Sequence, residues 1–155
     1  MDAWSVVTGA GSGIGAALAR RLGSKGFRVL AVGRRAEKLH ETASGCDHIV
    51  ACPADVGSRE GRERIVSALK GENVRFLVHS AAVGVPNGIK DVKEEDFEDA
   101  MRINVTGPLF LNQALLPLLS ACEVQWHLPS TSASNPQWLR AHGSDPEPWA
   151  MSLGP

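Results

Sequence analysis

The chain has 155 residues, 16 Lys and Arg against 17 Asp and Glu, and a formal net charge of −1, so it carries no basic stripe and is expected to have no nucleic-acid partner. That length suits one domain with a real core, and the longest apolar runs fall short of the roughly 18 residues a membrane span needs, so no membrane partner is expected either. Three cysteines, Cys46, Cys52 and Cys122, form no CxxC pair and leave one odd, which favours reduced structural thiols and no metal site.

The run from Ala3 to Val7 reads as a strand that begins almost at Met1, leaving no room for a signal or transit segment, and a cytoplasmic location is the expectation. Thr8-Gly9-Ala10-Gly11-Ser12-Gly13-Ile14-Gly15 follows, and Ile14, Ala17, Leu18 and Leu22 then recur at helical spacing until Gly26. Without a Cβ, Gly9 can make the tight turn off the strand. Gly13 and Gly15 let backbone lie against a pyrophosphate and let the helix pack on the sheet. The first helical N–H groups lack intrahelical partners and sit at the positive end of the macrodipole, so a diphosphate is the natural occupant. Ser12 and Ile14 belong to the same cofactor-binding turn.

Phe27 to Gly33 is a second strand, completing a βαβ unit with a parallel pair. About 20 residues beyond the glycines, where NAD sites place an acid for the ribose 2′-hydroxyl, the chain has Gly33-Arg34-Arg35. A guanidinium pairs with a 2′-phosphate that a carboxylate would repel, so Arg34 and Arg35 point to NADP, or else they merely start the next helix. Ala36 to Ser44 reads as that helix and His48 to Cys52 as a third strand. Asp55, just past it, can accept from an adenine amino group with Val56 against the ring. The alternative is a plain cap on the helix from Ser58 to Lys70. Val74 to His79 is a fourth strand, and the small residues Ser80, Ala81 and Ala82 leave it, permitting a cofactor to lie on backbone. His79 could be a base, but within a sheet it reads as a structural donor.

A long helical pattern from Glu94 to Leu119 carries Phe97, Met101, Val105, Leu109 and Leu116 along one face, with Pro108 and Pro117 interrupting or kinking it. Asn104 lies inside it, where asparagine is unfavourable by propensity, so either it has a role or it is a polar residue on the wet side. Glu123 to Leu128 reads as a fifth strand. Residues 126–155 then change character, with tryptophans, prolines and no helical period.

The pattern Thr8-Gly9-x-x-x-Gly13-x-Gly15 resembles the cofactor turn of the short-chain dehydrogenase/reductase family, and Met101-Arg102-Ile103-Asn104-Val105-Thr106-Gly107 resembles the family segment with its helical asparagine. The resemblance runs from residue 1 to about 119. Together with the alternating elements it implies a Rossmann-type, doubly wound parallel sheet of order 3-2-1-4-5, incomplete on its C-terminal side, with 120–155 a divergent or truncated tail. It also implies that Asp55 and Val56 meet adenine, that Asn104 holds a water in a proton path, and that Ser130-Thr131-Ser132 stands where the family keeps its serine, making Asn104, Ser130 and Ser132 the catalytic candidates. Family members show Asn-Asn-Ala-Gly where this chain has His79-Ser80-Ala81-Ala82. They also need Tyr-x-x-x-Lys, and this chain has no tyrosine and no lysine after Lys93. Trp149-Ala150-Met151-Ser152-Leu153 is its nearest echo and supplies neither chemistry. A shifted reading frame, an alternative exon or a truncation explains the tail as well as that echo does. Two functions follow: an NADP-dependent oxidoreductase acting on a carbonyl or alcohol, inactive as written, or a non-catalytic nucleotide-binding or interaction protein that pairs with a full-length relative. Homo-oligomerisation is open in both.

Overall fold

The computed structural model describes residues 3–85 and 90–119. Four strands, β1 (Trp4–Thr8), β2 (Arg28–Gly33), β3 (Ile49–Pro53) and β4 (Val74–His79), form one parallel sheet of order β3-β2-β1-β4. Helices α1 (Gly13–Ser24), α2 (Ala36–Ala43) and α3 (Arg59–Ala68) are the connections. Apolar side chains alternate across the sheet: Val7, Val29 and Ala31 pack with Leu39 on the side of α1 and α2, while Val6, Leu30 and Val32 pack with Ile65, Leu111 and Leu115 on the other. A sheet covered on both faces needs strands apolar on both sides, which β1 and β2 supply. The expected order 3-2-1-4 is present. The expected fifth strand lies outside the described residues, although Leu119 makes a parallel bridge to Val74 on the free edge of β4.

The helix faces differ from the expected ones. In α1 the buried residues are Gly15, Ala16, Ala19 and Gly23, while Ile14 is 79% exposed. Close approach is the reason: a Cβ on Gly15 would lie 2.4 Å from the Gly9 carbonyl oxygen, and one on Gly23 would lie 2.7 Å from Ile49 Cγ1. Small residues face the sheet so that the helix can lie on it, and large apolar ones move to the flank or into solvent.

The pattern after Glu94 differs as well. It is not one kinked helix but α4 (Glu94–Met101), a π-turn (Arg102–Thr106), α5 (Gly107–Leu115) and a 3₁₀ turn (Leu116–Leu118). Ala100, Ile103, Gly107, Leu111 and Leu115 face inward, and the anticipated stripe of Phe97, Met101, Val105, Leu109 and Leu116 faces outward. Gly107 explains the register: its N–H bonds the Arg102 carbonyl, closing the π-turn, and a Cβ there would lie 2.9 Å from the Val56 carbonyl oxygen.

Candidate functional site

Every parallel strand ends at the same edge, and the loops leaving β1, β2, β3 and β4 enclose a cleft of about 360 Å³. Gly9, Ser12, Gly13, Ile14, Arg34 and Arg35 line one part of it, and Asp55, Val56, Ser80, Ala81 and Ala82 line the rest. Gly15 does not line it; its work is the helix-to-strand crossing described above. Gly11, Gly33, Ala54, Val83 and Ile103 also line the cleft and were missed. Gly11 and Gly33 stand within the stretches already singled out, whereas Val83 and Ile103 depend on a tertiary contact that no local pattern shows.

Thr8 sets the floor. Its hydroxyl lies 3.3 Å from the Val78 carbonyl oxygen and accepts from the Ser80 and Ala81 N–H groups at 3.2 Å each, so β1 holds the chain leaving β4. Gly9 (φ +67°) then turns the backbone so closely past this chain that only glycine fits. Gly13 (φ +54°) differs: a Cβ there would meet nothing within 4 Å, because the space before it is the cleft. Ser12 is extended at the start of α1 and makes no side-chain cap, and the first turn contains no acid. The leading N–H groups of α1 therefore face the cleft without a protein acceptor from the cap residue, which fits a diphosphate.

Arg34 and Arg35 are exposed at the entry to α2, with no hydrogen bond or ion pair from either side chain among the described residues, and Arg35 occupies the cap position without capping. Asp55 is a structural acceptor as well as a cleft residue. Its Oδ1 accepts from the Gly57 N–H at 2.9 Å, and Arg102 Nη1 donates to Oδ2 at 3.3 Å. The cap of α3 is instead Ser58, whose hydroxyl oxygen accepts from the Gly61 N–H at 3.0 Å.

Asn104, within the π-turn, spends both halves of its amide on one residue: Nδ2 donates to the Val83 carbonyl at 2.8 Å and Oδ1 accepts from the Val83 N–H at 2.9 Å. It pins the chain beyond Ala82 to the π-turn. Pro108, four residues on, has no N–H, so the Asn104 carbonyl lacks its usual helical donor. Ser130, Thr131 and Ser132 lie outside the described residues, as does the Trp149 to Leu153 segment.

His79 is buried, with Nε2 2.8 Å from Asn112 Oδ1. Burial pushes its pKa down and the Asn112 bond raises it by less. The folded chain thus favours the neutral ring relative to an unfolded chain near the ordinary 6.5. More protons are bound unfolded than folded below that value, so stability is complete above it and falls as pH drops through the folded pKa. Urea midpoints at pH 7.5 and at pH 5 should fall more for wild type than for His79→Gln, with a slope from this group of at most about 1.4 kcal/mol per pH unit. Equal losses would show that the ring does not contribute.

A parallel α/β domain with a glycine turn and small-residue walls at its strand ends belongs to the class that binds dinucleotides. Within that class, the family model for short chain dehydrogenase matches residues 3–124, and the chain belongs to that family. An uncharacterized oxidoreductase of Staphylococcus aureus (strain USA300) is 31% identical over 122 residues, which cover 76% of this chain and 53% of that protein. Among solved structures, a metagenomic short-chain oxidoreductase in complex with NADP is 30% identical, with a TM-score of 0.67, covering 75% of this chain and 56% of the other. The 3-ketoacyl-(acyl-carrier-protein) reductase from Brucella melitensis, complexed with NADH, is 27% identical, with a TM-score of 0.68, over 75% and 49% of the two chains. This chain spans about half the length of the curated relatives it matches. Among the described residues no helix is long and apolar enough to cross a membrane.

Proposed function

We propose that the chain is the cofactor-binding half of a short-chain reductase and that it takes NADP(H) in preference to NAD(H), in the service of hydride exchange with a carbonyl or alcohol. The carrying observation is the pair Arg34 and Arg35 at the start of α2. Cations at a helix N-terminus face the positive end of the macrodipole, so the capping alternative is electrostatically unfavourable, whereas a 2′-phosphate between the two guanidinium groups and the helix would satisfy all three. Gly33 supplies no carboxylate to repel that phosphate. Relatives bind NADP in one case and NADH in another, so the choice rests on these side chains.

Binding isotherms for NADP and NAD test this reading. An exposed paired contact to phosphate contributes about 1.5–3 kcal/mol, or roughly one to two decades of affinity. Arg34→Ala with Arg35→Ala should erase the preference and leave NAD affinity nearly unchanged. Equal affinities in the wild type would overturn the assignment.

A second reading, a nucleotide-binding partner protein without turnover, is favoured by one specific observation: the 155 residues contain no tyrosine. Under it, the exposed Phe97, Met101, Val105, Leu109 and Leu116 stripe along α4 and α5 is the face that meets a second copy or a full-length relative.

A further inference from the structure

We propose that Arg102 is a positioning residue for Asp55, and that this pair makes the base end of the cleft select adenine over 6-oxopurines. The inference rests on the nucleotide-binding reading above and extends it to a residue outside the cleft.

The loop carrying Asp55 is held from all sides. The Ala54 N–H donates to the Gly33 carbonyl at 2.8 Å, the Ser58 N–H to the Asp55 carbonyl at 3.1 Å, and Arg62 Nη1 to the Val56 carbonyl at 2.9 Å. A Cβ on Gly61 would lie 2.0 Å from the Asp55 carbonyl oxygen, so α3 touches this backbone directly. With the backbone fixed, only the side-chain torsions of Asp55 are free. Gly57 takes one carboxylate oxygen and Arg102 the other, which fixes the carboxylate plane. Arg102 is itself oriented from outside: Nη2 and Nε both donate to Asp99 Oδ1, at 2.9 and 3.3 Å. Its guanidinium also lies where a Cβ on Gly57 would stand, 2.3 Å from Nη1.

Each carboxylate oxygen has two lone pairs, so one acceptor position per oxygen is left after these bonds. Adenine offers an exocyclic amino group at C6. Hypoxanthine offers an acceptor oxygen at C6 and a donor at the neighbouring N1. A carboxylate free to swing accepts from either base. One held in a single plane keeps its acceptor aimed at C6 and meets the hypoxanthine oxygen as a like partner, which costs affinity. Arg102 is what prevents the swing, and Asp99 acts through it.

The test is calorimetric titration of the full chain with NADP and with nicotinamide hypoxanthine dinucleotide phosphate. Wild type should favour the adenine form by about tenfold or more. Arg102→Ala should lower that ratio about fivefold or more and leave the NADP-to-NAD ratio unmoved, because the 2′-phosphate contacts are elsewhere. Asp99→Ala should lower it less, and should add nothing in the Arg102→Ala background; Arg102→Lys should restore part of it. An unchanged base ratio in folded Arg102→Ala overturns the inference. If Arg102→Ala does not fold, unchanged ratios in both Asp99→Ala and Arg102→Gln do the same. Wild type that binds both nucleotides equally overturns this inference alone, whereas wild type that binds neither overturns the nucleotide reading with it.

Discussion

Gly9→Ala is expected to lower stability by about 2–5 kcal/mol, combining left-handed strain with a clash that has no flexible partner. The added Cβ would lie 2.6 Å from the Ala81 nitrogen and from the Ser80 carbonyl oxygen, backbone atoms of a segment that Thr8 holds through the Ser80 and Ala81 N–H groups. Relief requires moving the end of β4 away from β1, at the centre of the sheet. Gly13→Val should behave oppositely. It adds about 1–2 kcal/mol of backbone strain, but its Cβ meets no protein atom within 4 Å. Its side chain would stand where a diphosphate approaches the first N–H groups of α1. Losing charge-assisted bonds there should reduce nucleotide affinity by about two decades. Denaturant midpoints and titrations on the two variants separate these roles. A Gly9→Ala chain of wild-type stability, or a Gly13→Val chain of wild-type affinity, would show that the turn does not work this way.

No turnover of carbonyl or alcohol substrates is the expected result when the purified 155-residue chain is assayed by cofactor oxidation against a broad carbonyl panel. Hydride transfer changes the charge on the substrate oxygen, and a positioned proton donor is worth about 10²–10⁴-fold in rate. Among the described residues none supplies that donor. His79 is buried against Asn112, its pKa pushed down by burial, and the Asn104 amide is tied to the Val83 backbone and has no acidic proton to give. Trp149 and Leu153 could not replace a tyrosine and lysine even if correctly placed, since indole has no accessible conjugate base and leucine no charge. Mass spectrometry must exclude a full-length contaminant. Turnover that disappears in Asn104→Ala would refute the expectation and reveal a proton path in the tail.

The elements that could be read from the sequence are those whose signals are local. Periodicity and glycine punctuation put β4 at Val74 to His79 and β1, β2 and β3 within a residue of their observed bounds, because a strand buried on both faces is a short apolar run between breakers. The glycine turn was equally legible, since its residues are consecutive. Helix faces were not. Large apolar residues in α1 suggest its inner face, but the sheet takes Gly15, Ala16 and Ala19, since only small side chains allow the close approach; in the segment after Glu94 the buried face is Ala100, Ile103, Gly107, Leu111 and Leu115. The π-turn was missed for a related reason: the glycine that closes it, Gly107, answers to the Val56 carbonyl, 51 residues away in the chain. Arg102 beside Asp55 and Asn104 beside Val83 are likewise pairings between distant segments, invisible to spacing within either one.

The strand order also determines when the glycine turn can take shape. β1 is flanked by β2, whose residues follow soon after it, and by β4, whose residues pair with it from some seventy positions further on, as Thr8 does with Val78. As the chain leaves the ribosome, β1, β2 and β3 can associate early through short connections. Throughout that interval β1 keeps one edge unpaired, and the wall of Ser80 and Ala81 that shapes the turn has not been made. Contacts between distant segments form late because closing the intervening loop must come first. A motif synthesised before β2, β3 and β4 is thus completed only after all three, and an open β1 edge is the surface a chaperone would have to shield in the meantime.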